Sequence, residues 1–154
     1  MNRSPPPPAD QTLRLALAQK LLHAWSQNRL QVRVPLSLNL ARMPAAQRVP
    51  VARLMAAALA ACGATAEADA ARLDQALERI GGAAERAPAR RALHDPPDLI
   101  ALLGALEAAG LSAHGYAAAA LVLERRVPAQ RLFLNWLAAR FALPATLTAG
   151  LARR

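Results

Sequence analysis

Aromatic side chains make up only 3% of these 154 residues, and cysteine occurs once, at Cys62. A single thiol excludes a disulfide framework. Three histidines in separate segments (His23, His94 and His114) offer too few ligands for an ordinary zinc or iron site, so no metal and no cofactor is expected. Val, Ile, Thr and aromatic residues are too scarce to line a sheet. Lysine is nearly missing: Lys20 stands alone beside 18 arginines, and acids are absent after Glu124. No uncharged run reaches the ~20 residues that a spanning helix needs. The longest, Leu54 to Ala66 and Ala108 to Leu123, both contain glycine. The start, Met-Asn-Arg-Ser and then Pro5 to Pro8, lacks the apolar stretch of a secretory leader. The expectation is a cytoplasmic chain with no transmembrane segment.

What is abundant is alanine, at 40 positions, within an apolar share of 55%. Alanine is the strongest helix former and the least bulky core filler, which points to an all-α bundle of closely packed helices. Residues 1–9 read as a disordered Pro-rich tail. From Asp10 a helical pattern runs to about Asn28, with Leu13, Leu17, Leu21 and Trp25 spaced by four. Residues 31–47, carrying Pro35 and Pro44, read as an extended connector. This gives an N-terminal region of helix plus connector over 10–47 and a main domain over 48–154.

Within the main domain, Pro50 is expected to open a helix that ends at Gly63. Thr65 should cap the next, with Gly81-Gly82 closing it. A short helix follows over Ala83 to Leu93. Asp98 then caps a helix ending at Gly110, and Ser112 caps another. Pro128 and Pro144 open the last two. The total is seven to eight helices.

Charge is unevenly placed. Residues 1–60 carry eight basic groups and one acid, residues 61–124 five and nine, and residues 125–154 six and none. A chain basic at both ends and acidic in the middle would attract an acidic protein, nucleic acid or an anionic surface. Two segments also resemble each other. Arg48 to Ala64 and Arg126 to Ala142 share nine of seventeen residues, including Arg-Val-Pro and a later Arg-Leu. They read as two equivalent central helices.

The stretch Tyr116 to Leu151 resembles the C-terminal half of an uncharacterised bacterial family, typified by the inner-membrane protein YebE and related to the TerB-like tellurite-resistance fold. Pro128, Ala129, Arg131, Leu134, Leu137, Ala138, Ala139, Leu143, Leu147 and Leu151 follow its pattern. Met55, Ala57, Ala58, Gly63, Arg72 and Asp74 match an earlier motif. The resemblance implies a TerB-like helical bundle. It also marks departures. The family's Asp-Gly-x-x-Asp falls here on Cys62-Gly63-Ala64-Thr65-Ala66, with both carboxylates gone, and acidic positions late in the family become Gln130, Asn135 and Trp136. A hard cation needs several oxygen ligands, so any metal role of the wider fold is not carried over. The family's membrane tether is missing too, which leaves peripheral contact with the inner membrane open.

No catalytic constellation is visible. Of the four serines, Ser112 has His114 two residues on, and helix capping accounts for it better than a catalytic pair. Asp95 and Asp98 flank Pro96-Pro97 as stop and cap signals. Gly81-Gly82 lacks the Lys-Ser/Thr of a phosphate loop. Cys62 reads as a small buried hydrophobe. Trp136 is the most informative residue: with Phe133, Leu134, Leu137 and Phe141 facing inward, it is either core, meeting Trp25, or an exposed partner anchor. The candidate partner surface is Trp136, Phe133, Arg131, Arg140, Arg125 and Arg126. The expected function is a non-enzymatic protein-interaction module with an acidic partner. Sequence-nonspecific nucleic-acid binding through the basic ends is the alternative.

Overall fold

The computed structural model describes residues 38–63 and 67–152. The Pro-rich tail, the helix expected from Asp10, the connector up to Ser37, Trp25, Thr65 and the pair Arg153 and Arg154 lie outside the described residues. So do Ala64 to Ala66, where one of the family's carboxylates would fall. Among the described residues the fold is all-α, with seven helices and no strand.

Helix α1 (Ala45–Ala61) is the centre. Its residues Val51, Ala52 and Leu54 to Leu59 are all buried. A helix that is apolar on nearly every side has to be enclosed by others. Helices α2 (Glu67–Arg79), α3 (Arg86–His94), α4 (Leu99–Ala108) and α5 (Ser112–Val122) enclose it. Alanines at 52 and 56–58 let these neighbours approach closely. Gly115 on α5 shows how closely: a Cβ there would lie 3.0 Å from Leu54 Cδ2. Tyr116, beside it, is among the largest fully buried side chains.

Helix α6 (Pro128–Arg140) packs on α5, and the short α7 (Ala145–Ala152) follows it. Pro128 occupies the first turn of α6 as expected, since that turn has no use for its missing N–H. Asp98 caps α4, its Oδ1 accepting from the N–H groups of Ile100 (2.9 Å) and Ala101 (3.2 Å). Gly81, at φ +72°, reverses the chain after α2. There the N–H of Gly82 donates to the carbonyl of Leu77 (2.7 Å) and that of Gly81 to Glu78 (3.1 Å), which satisfies the open carbonyls of the helix end.

Three expectations need correction. Helix α1 opens at Ala45 behind Pro44, not at Pro50, which sits inside it. The extra turn is held because Gln47 N–H donates to Pro44 O (2.9 Å) and Arg48 Nε to Met43 O (2.9 Å). Residues 45–47 are therefore helix rather than connector. Before them, Leu40–Arg42 form a 3-10 turn that sends Leu40 into the core. Ser112 makes no capping bond; Leu111 stands at the cap position, its carbonyl accepting from Gly115 N–H (2.8 Å). Finally, the two similar segments are not equivalent: α1 is central, whereas on α6 only Leu134 and Leu137 are buried.

Candidate partner-binding face

Helix α6 presents two unlike sides. Leu134 and Leu137 point into the core, and Phe141 closes the same face at the helix end. On the outer side Leu132 is 64% exposed and Trp136, one turn on, is 41% exposed. Phe133 is half-buried between the two sides, and its ring lies 5.5 Å from that of Trp136 at 48°. Such a tilted arrangement is one that aromatic pairs favour.

The four candidate arginines differ in what they already hold. Arg125 donates to the hydroxyl of buried Tyr116 (3.2 Å), so it satisfies a core polar group. Arg126 donates to Glu124 (2.8 Å), and Arg140 pairs with Glu107 of α4. Among the described residues only Arg131 of the four has no ion pair or side-chain hydrogen bond, and it is exposed. The structure thus brings Arg131, Phe133, Trp136 and Arg140 together on one helix, with Arg125 and Arg126 in the preceding loop.

That loop is tied down by residues whose role was not apparent in the sequence. Glu124 bridges Arg126 and Arg72 of α2 (3.3 Å), and these two guanidinium groups, Arg126 foremost, hold its carboxyl below the ordinary value. Arg72 also donates to the Val122 carbonyl (3.4 Å). The Glu124 N–H in turn donates to the Gln130 side chain, which can accept it as a glutamate would. Asp74 binds Arg90 of α3 through both oxygens, and this raises the Arg90 pKa. The family-like residues Arg72 and Asp74 therefore hold helices together. Sequence separations of 16 and 50 residues hid these links.

Other candidate residues resolve simply. Cys62 is half-buried at the end of α1, and desolvation pushes its thiol up, away from the reactive thiolate. Asp98 is engaged in capping, and Asp95 follows the end of α3. Among the described residues no group of three or more His, Cys, Asp or Glu is placed to hold a metal ion, and no helix is long and apolar enough to cross a membrane.

The sequence profile of DUF533, a family of proteins of unknown function, matches residues 12–154. The chain belongs to the DUF533 family. This is the YebE-type, TerB-like family that Tyr116 to Leu151 resembles, and the DUF533 match reaches well beyond that stretch in the N-terminal direction. No curated protein and no solved structure matches the chain.

Proposed function

We propose that this DUF533 domain is a non-enzymatic protein-interaction module whose α6 face receives an acidic, apolar-centred segment of a partner protein. The observation that carries this reading is the exposed pair Leu132 and Trp136 on a helix whose opposite side is firmly buried. Trp and Arg are the residue types that most often dominate interface energetics, and Arg131 is on the same helix. No acid follows Glu124, so an acidic partner meets no like charge on the helix itself. The proposal places the domain in the cytoplasm, soluble or peripheral to the inner membrane.

Nucleic-acid binding through the basic ends is the competing proposal. It is less favoured because Arg125, Arg126 and Arg140 already serve Tyr116, Glu124 and Glu107. A phosphate would have to displace those partners.

The test is a photo-crosslinking residue at position 136 in the native host, with one at exposed Ile100 of α4 as control. The captured partner is then titrated onto the purified chain. Trp136→Ala should weaken binding at least tenfold while lowering stability by only about 1 kcal/mol, the scale of a lost aromatic contact. Raising salt should weaken binding only modestly, because it screens the exposed arginines but not the Trp136 contact. A loss of ~3–5 kcal/mol in Trp136→Ala would return the indole to the core and overturn the reading. A nucleic-acid ligand whose affinity falls steeply with salt would overturn it as well.

A further inference from the structure

A second feature lies away from α6. The 3-10 turn Leu40–Arg42 and the loop after α2 are clasped together, with Leu40 N–H donating to the Ile80 carbonyl (2.7 Å). Where they meet the first turn of α5, a cavity of about 610 Å³ opens. That volume is in the range of small-molecule sites.

Its lining has the composition of a binding site rather than a packing gap. Leu38, Met43 and Ile80 supply an apolar floor, and Arg42 and Arg79 stand at the wall. Both arginines are exposed, and neither makes an ion pair among the described residues. Asn39 and His114 also line it. Asn39 Oδ1 and His114 Nδ1 are each shielded from solvent without a hydrogen-bond partner among the described residues. Atoms closed to a water molecule do not face the open space, so Asn39 and His114 meet the cavity through their other atoms, and Arg42 and Arg79 supply its charged hydrogen-bond donors. The wall is also preformed. A Cβ at Gly81 would come within 3.0 Å of Ala41 Cβ and 3.1 Å of Asn39 Oδ1, so the loop and the turn are already in contact.

We propose that this cavity binds a small organic oxyanion, a phosphate monoester or a carboxylate on an apolar body. The oxyanion sits between Arg42 and Arg79, and the body rests on Leu38, Met43 and Ile80. Guanidinium groups suit phosphate and carboxylate through paired N–H donors. This site is independent of the α6 face and stands or falls separately.

Calorimetric titration of the full chain tests it, with phenyl phosphate, benzoate and inorganic phosphate as probes. Phenyl phosphate or benzoate should bind saturably with one site, at least tenfold tighter than inorganic phosphate. The stronger of the two identifies the oxyanion. The ring signals of His114 should move on binding, while those of His94, outside the cavity, should not. Arg42→Gln with Arg79→Gln should weaken binding tenfold or more. Both side chains are exposed, so the fold should survive. Arg53→Gln with Arg91→Gln, two other exposed arginines, removes the same charge elsewhere and should leave affinity unchanged. The proposal is overturned by no saturation at roughly 10 mM of either organic probe, a concentration that would reveal even millimolar affinity. Equal loss in the two double variants, or inorganic phosphate binding as tightly as phenyl phosphate, would overturn it too, since either points to nonspecific charge.

Discussion

Arg48 to Ala64 and Arg126 to Ala142 start from much the same residues, yet they end in different places: one at the centre of the bundle, the other at its edge. Position by position the divergence is plain. Leu54 is fully buried, and its counterpart Leu132 is 64% exposed. Ala58 is fully buried, and its counterpart is Trp136. Three of the eight non-identical positions make the difference. In α1 they are Ala56 to Ala58, small enough for neighbouring helices to close on several sides. In α6 they are Leu134, Asn135 and Trp136, too bulky and too polar for a crowded centre. A shared Arg-Val-Pro and a shared Arg-Leu step therefore mark a helix without fixing where it opens, while side-chain volume decides where it packs.

The sharpest way to break this comparison is to cut the same residue from both helices. Leu54→Ala should cost ~2–5 kcal/mol, because it opens a cavity among α1, α5 and their neighbours. Leu132→Ala should stay within ~0.5 kcal/mol, as surface substitutions do. Chemical denaturation of both variants gives the answer in one experiment. Equal losses would mean that the two helices are equivalent after all.

These two segments also show what could be read in advance. Helix starts and ends marked by Asp98, Pro128, Pro144, Gly81 and Gly110 were legible, because each is a local backbone requirement. The start of α1 was not, since Pro44 and Pro50 are both acceptable near a helix start, and the choice rests on Arg48 reaching Met43. Trp136 was identifiable as a borderline residue on its helix. Its exposure depends on which neighbour covers that border, and periodicity carries no such information. Arg125 was read as surface charge, but its bond to Tyr116 spans two elements. The cavity had no sequence signal: Asn39, Arg79 and His114 come together only once Leu40 is docked.

A smaller effect sharpens the contrast at the helix entrances. The loop before α6 is anchored by Glu124, whose counterpart Ala46 lies in the first turn of α1 and carries no charge. Arg126 and Arg72 lower the folded-state pKa of Glu124 below the ordinary carboxylate value of ~4.3. A group so depressed contributes stability above its unfolded pKa, and that contribution disappears as pH falls through the folded one. Glu124→Gln should therefore melt below the parent at neutral pH. The two curves should converge as pH drops below ~4.3. A constant gap across that window would show that the pairing with Arg126 and Arg72 contributes nothing to the fold.

The smallest effect lies at the helix exits. After α1 the chain turns at Gly63, with φ +82°; after α6 it turns at Ala142, with φ +49°. In both cases the residue is the second after the last helical one. Ala142 N–H donates to the Ala139 carbonyl (3.0 Å) and Leu143 N–H to Ala138 (2.9 Å), so the left-handed residue closes the end of α6 as glycine does elsewhere. Alanine pays a steric cost there because its Cβ crowds the backbone, whereas glycine has none. Working against the swap, glycine gives the unfolded chain more freedom. Ala142→Gly should leave a net gain of about 0.5 kcal/mol, and Gly63→Ala should lose about 1 kcal/mol. The Gly63 value isolates the backbone contribution, because nothing lies within 4 Å of a Cβ placed there. Thermal melts of the two single variants and the double should show additive shifts, since the sites share no partner. A loss in Ala142→Gly would mean that the Ala142 methyl makes a contact worth more than its strain, and that the edge helix is held by packing at its exit as firmly as the central one.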